Sequence, residues 1–159
     1  WMTISSFGIA ITTFVGQNIG AKQYDRVKKG VFAAWLMSSG VIAVCSVCIF
    51  SAAPFLIGIF TKDAEVIAIG SGMERIFSAF YLALPVVQIL NGALRGAGLS
   101  KIPMYFMLGS FVVLRQIYLM IAVPLTNDVN VVMPGWPITW IICPIAMPVY
   151  YFKTDWLKK

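Results

Sequence analysis

The sequence predicts an all-α membrane protein, a polytopic helix bundle with four complete transmembrane helices and one truncated helix. Three observations carry this. Hydrophobic residues make up 60% of the chain and charged residues 11%, whereas a soluble domain has about 25% charged residues. Apolar runs at 31–60, 67–94, 102–124 and 133–152 each reach the about 20 residues that span a bilayer. Basic residues gather in alternate connections between those runs, the pattern that sets membrane orientation.

The first helix, 1–15, is apolar but about five residues short of a span. It starts at Trp1 and is read as beginning inside a helix. Thr3, Ser5, Ser6, Gly8, Thr12 and Thr13 are small enough for close helix approach in lipid. Gly16 and Gly20 are expected to end it as turn residues, although their G-x-x-x-G spacing also fits a dimerisation face. The segment 16–30 is then a polar loop that holds Lys22, Arg26, Lys28 and Lys29, and Tyr24 suits headgroup depth.

With that loop cytoplasmic, nine Lys and Arg lie in inner segments against Lys62 alone in the outer ones, a strong positive-inside bias. The C-terminus is then cytoplasmic too, and the location is the inner or plasma membrane. This distribution excludes a nucleic-acid partner, because the cations are divided among three connections pinned to the bilayer and form no continuous groove. The lipid bilayer is the partner the charges imply.

In the second span, 31–60, Ala34, Ser38, Cys45, Cys48 and Ala52 share a side at about 100° per residue and are read as a small packing face. Cys45 and Cys48 form a C-x-x-C, but the chain has no His and no second such pair, so packing rather than metal or redox chemistry is expected. No metal and no cofactor is predicted. Pro54 is expected to kink the outer end. Asp63 is placed to cap the third helix, with Glu65 in its first turn.

The third span, 67–94, carries Glu74, Ser78, Tyr81, Pro85, Gln88, Asn91 and Arg95 within an arc of about 140°. Polar groups are not aimed at lipid, so this face looks either onto neighbouring helices or onto a wet cavity. Pro85 removes a backbone bond mid-span. Gly96 and Gly98 fall in a short inner turn. On the fourth span, 102–124, Met104, Met107, Phe111, Arg115 and Tyr118 share a face. Arg115 is a functional position by default, being ionisable inside the membrane, and its Met and aromatic neighbours suit either a repacking pocket or ordinary core. Glu74 can pair with Arg115 or Arg75, or sit solvated at the outer interface. The last span, 133–152, has Pro134, Pro137, Pro144 and Pro148 and is not expected to be straight. Trp136 and Trp140 suit the outer aromatic belt, and Tyr150, Tyr151 and Trp156 the inner one. An intramembrane enzyme is excluded by the lack of His, of paired midspan carboxylates and of an activated nucleophile.

Gly16-Gln17-Asn18-Ile19-Gly20-Ala21 after one apolar helix, and Leu94-Arg95-Gly96-Ala97-Gly98-Leu99-Ser100-Lys101-Ile102-Pro103 after another, resemble the two inner-loop motifs of the multidrug and toxic compound extrusion (MATE) family. Pro137-x-x-Trp140 leading to Tyr150-Tyr151 and Trp156-Leu157-Lys158-Lys159 resembles the last helix and tail of its bacterial members. The resemblance implies a twelve-helix antiporter of two six-helix lobes, exporting amphipathic, often cationic compounds against inward Na⁺ or H⁺, with this chain running from the end of the eighth helix through the twelfth. Its further partners would be a missing N-terminal lobe and a small-molecule substrate, and the coupling-ion site would lie outside the chain. Where some members have an acidic residue in the tenth helix, this chain has Leu84 and Pro85 followed by Gln88. Tyr81, Gln88, Asn91, Met107, Phe111 and Arg115 are the residues assigned to the cleft. The alternatives are a flippase of lipid-linked oligosaccharide or lipid precursor from the same superfamily, and a non-transporting truncated module.

Overall fold

The computed structural model describes residues 1–126, 135–154 and 156, which form five helices joined by short connections. Helix α1 is Met2–Gly20 and α2 is Tyr24–Gly58. Helix α3 runs over Ala64–Gly96, with a 3₁₀ turn at Tyr81–Ala83 inside it. Helix α4 comprises Lys101–Met107, a π-helical segment Leu108–Leu114 and Arg115–Thr126. Helix α5 is Gly135–Lys153. Among the described residues three helices, α2, α3 and α4, are long and apolar enough to cross a membrane; α5, in the span expected at 133–152, and α1 have 19 residues each but are not among them, so three candidate spans stand where four complete ones were expected. The expected start of the last span, including Pro134, lies outside the described residues.

The predicted loop at 16–30 is almost entirely helical. Helix α1 continues to Gly20 and α2 begins at Tyr24, so the connection is Ala21–Gln23. Gly16 and Gly20 are therefore helical rather than turn residues. The reversal is a Schellman motif: the Gln23 N–H donates to the Asn18 carbonyl at 2.8 Å and the Lys22 N–H to Ile19 at 2.9 Å. Its left-handed position is Lys22, at φ 57°. The same motif ends α3, where Leu99 N–H bonds Leu94 O and Gly98 N–H bonds Arg95 O, with Gly98 at φ 80°. Gly96, expected in this turn, is the last helical residue. Because only the second motif has glycine at the left-handed position, Lys22→Gly should relieve strain of about 1 kcal/mol. It is expected to raise the apparent melting temperature in detergent by about 2 °C. A fall instead would show that the Lys22 side chain stabilises the turn by more than its backbone strains it.

Helix α3 is the centre of the bundle: 56% of its spanning window is buried, against 17% for α2 and 6% for α4. The outer faces of α2 and α4 stay exposed and apolar, as with Phe55, Met120 and Leu125, which suits lipid as the surrounding solvent. Helix α1 crosses α3 through small residues at a spacing of four. Gly8, Thr12 and Gly16 meet Gln88, Gly92 and Gly96, so closely that a Cβ on Gly92 would come within 3.0 Å of the Gly8 carbonyl oxygen and of Ile11. A Cβ on Gly96 would likewise crowd the Thr12 carbonyl oxygen and Val15. Without a hydrophobic driving force inside lipid, such close backbone approach and its dispersion contacts hold helices together. Gly16 therefore takes part in a contact within the chain, whereas nothing lies within 4 Å of a Cβ on Gly20. Thr12 satisfies its own hydroxyl by donating to Gly8 O at 2.8 Å.

The main core joins Ile11 and Val15 of α1, Val27 and Val31 of α2, the stretch from Val87 to Leu94 of α3, and Cys143 and Met147 of α5. On α2 the buried residues include Val31, Ser38, Ile42, Ser46 and Ala53, while Cys48 is exposed. The packing face is thus rotated from the one expected. A side chain as large as Ile42 is accommodated there because it packs with Ile4 and Leu84.

Asp63 caps α3 as expected, accepting from Glu65 N–H at 2.9 Å and from Val66 N–H at 3.5 Å. The 3₁₀ turn sits just before Pro85 because proline offers no N–H to the residue four earlier and its ring crowds that carbonyl. The π segment in α4 has no signal as direct, although Gly109 and Ser110 lie within it.

Candidate functional site

The tightened turn at Tyr81–Ala83 sets the position of Tyr81 two helical turns beyond Glu74, on the same side of α3. The Tyr81 hydroxyl donates to Glu74 Oε1 at 3.0 Å. Across on α5, the Trp140 ring lies 5.6 Å from Tyr81 and 5.8 Å from Phe77, centroid to centroid. Trp136, one turn earlier, is 6.1 Å from Trp140. The Arg115 guanidinium of α4 stacks over Trp136 at 3.5 Å from the ring centroid. The result is a row across three helices, from the Glu74 carboxylate through the rings of Tyr81, Trp140 and Trp136 to the Arg115 guanidinium, with Phe77 beside Trp140.

Glu74 and Arg115 thus stand at opposite ends of the row, and among the described residues no ion pair joins them. The expected pairing is replaced by a hydrogen bond at one end and a cation–π contact worth about 2 kcal/mol or more when desolvated at the other. Arg75 does not pair with Glu74 either: its Nε donates to Phe50 O at 3.4 Å and its guanidinium lies 5.6 Å from the Phe50 ring. The sequence places Trp136 and Trp140 in the outer aromatic belt. Their spacing of four puts them on one side of α5, but which rings they would meet was not readable without the helix pairing.

Gln88 and Asn91, assigned to the cleft on a face read as either a helix interface or a cavity wall, lie inside the bundle. Gln88 is 8% exposed and its backbone carbonyl faces Gly8. Asn91 is fully buried, and its Nδ2 donates to Met107 Sδ at 3.3 Å, while Oδ1 has no partner. At these two positions the polar arc of α3 is a helix interface. Asn91 and Met107 are brought together, and Phe111 packs against the main core. Met104, on the same predicted face, is 47% exposed. Among the described residues no three His, Cys, Asp or Glu side chains gather into a metal site.

The profile of the MatE family matches residues 1–121. The chain belongs to the MatE family. It is 32% identical over 104 residues to the probable multidrug resistance protein NorM of Thermotoga maritima, covering 65% of this chain and 22% of that protein. It is 30% identical over 103 residues to multidrug and toxin extrusion protein 2 of Mus musculus, covering 64% of this chain and 18% of that protein. Over 99% of its length it is 23% identical to the probable multidrug resistance protein YoeA of Bacillus subtilis, of which it covers 34%. The MatE chain described here therefore spans about a fifth to a third of the length of these relatives. The family is one of transporters rather than enzymes.

Proposed function

We propose that this MatE chain is the C-terminal part of a secondary active antiporter, running from the end of the eighth helix through the twelfth. The antiporter exports amphipathic, often cationic compounds in exchange for Na⁺ or H⁺. The observation that carries the proposal is the aromatic row ending in Glu74. A flat cation sliding against Trp140 and Tyr81 would meet π faces and one carboxylate together, the combination that attracts desolvated cations. The nine-to-one charge bias supports a cytoplasmic side for the segments around Lys22–Lys29 and Arg95–Lys101, and the row then falls in the outer half of the bilayer. Export then requires that substrate and coupling ion bind the inward- and outward-facing states with different affinity.

The test is efflux of ethidium from cells expressing the gene that encodes this segment. Glu74→Gln keeps the shape and removes the charge, and it is expected to reduce gradient-driven efflux about tenfold. Gradient-independent dye retention, with the protein present in the membrane, would remove the exporter reading. Equal efflux by Glu74→Gln would leave the exporter and remove this row from it.

A further inference from the structure

A cavity of about 590 Å³ opens between α2, α3 and α5 at the end of the bundle away from the aromatic row. None of the residues assigned to the cleft lines it. Trp35, Ile89, Leu90 and Pro148 form apolar walls, and Tyr24 and Lys28 line it near the start of α2. From Tyr24 to Trp35 the α2 wall is about 16 Å long at 1.5 Å per residue. That is close to one leaflet of a hydrocarbon core about 30 Å thick. Phe32 and Phe152 also line the cavity while remaining 59% and 81% exposed, so it is open sideways to the surrounding lipid.

We infer that this cavity holds one anionic glycerophospholipid, with an acyl chain between α2 and α5 and the headgroup phosphate at Lys28. The volume lies in the range of small-molecule pockets, about 300–1,000 Å³. The sign of the ligand follows from the charges: Lys28 lines the cavity, and Lys22, Arg26 and Lys29 stand in the same stretch with Asp25 as its single acid. Tyr24 and Thr154 also line the cavity, and their hydroxyls are donors that phosphate oxygens can accept from. A cationic substrate would be repelled there, and a zwitterionic lipid would bring its own cation toward Lys28. The inference rests on the membrane-embedded reading of the chain, not on which compound is exported.

The protein, in the full form its gene encodes and purified in detergent, would be titrated with phosphatidylglycerol brominated on an acyl chain. Quenching of tryptophan fluorescence is the readout, since Trp35 and Trp156 line the cavity. Saturable quenching is expected at about tenfold lower concentration than with phosphatidylcholine carrying the same chains. Lys28→Gln, at an exposed position where folding is not at stake, should erase that preference, and Trp35→Phe should remove part of the quench. Equal quenching by the two lipids, or an unchanged curve for Lys28→Gln, would overturn the inference. Displacement of the lipid by inorganic phosphate would overturn the acyl chain as the anchor and leave an anion site. Because the readout needs no transport, loss of dye export would not be mistaken for loss of lipid binding.

Discussion

Gly92→Ala is expected to lower the apparent melting temperature by about 5–10 °C, and Gly92→Leu to prevent accumulation of folded protein. The added Cβ has nowhere to go. It meets the Gly8 carbonyl oxygen, which is backbone and cannot rotate aside, and Ile11 at the same time. Forcing atoms into a filled helix contact typically costs about 1–3 kcal/mol, and for a chain of this size each kcal/mol moves the midpoint about 2–4 °C. Gly20→Ala is the control, because nothing lies within 4 Å of a Cβ there and alanine favours the helix by about 1 kcal/mol. Fluorescence-monitored melting in detergent checks both. If Gly92→Ala and Gly20→Ala melt together, the close approach of α1 to α3 is not what holds the bundle.

Trp140→Ala should destabilise the bundle by about 3–5 kcal/mol, as large aromatic truncations do, and should abolish dye export. Trp140 is the ring that touches Tyr81, Phe77 and Trp136, and each aromatic pair contributes about 0.5–1.5 kcal/mol beyond simple burial. Losing it separates the Glu74 end of the row from the Arg115 end. Trp140→Phe retains an aromatic face and should recover most of the melting temperature with part of the export. The pair of variants separates packing from recognition. Restored melting without restored export would make the indole itself the contact; restored export at full rate would make the row a packing element.

The helical character, three of the four expected spans and the family resemblance were legible because each depends on local properties of the chain. A run of apolar residues must satisfy its backbone internally in lipid, so it reads as helix wherever it occurs. The Asp63 cap was legible for the same reason, since its hydrogen bonds stay within three residues. The Gly16–Gly30 segment misled because glycines and cations look like a loop. Gly16 is helical and faces Gly96, 80 positions away, at a contact where Gly96 is the residue with no room for a Cβ, and the reversal is made instead by Lys22 in a left-handed conformation.

What the sequence alone determined is the all-α character and the long apolar runs, of which three have the length and composition to cross a membrane, since hydropathy acts residue by residue and needs no partner. Only the tertiary structure decided what each polar group faces. Glu74 met Tyr81 rather than Arg115, Arg115 met Trp136, and Gln88 and Asn91 turned into helix contacts, because these outcomes depend on how α3 is rotated and which helices flank it. Helical periodicity gives the relative angles of side chains on one helix, but not the direction in which that helix faces its neighbours. That direction is set by the close crossing of Gly8, Thr12 and Gly16 on Gly92 and Gly96, which aligns one side of α3 with α1 and leaves its other sides to α2, α4 and α5.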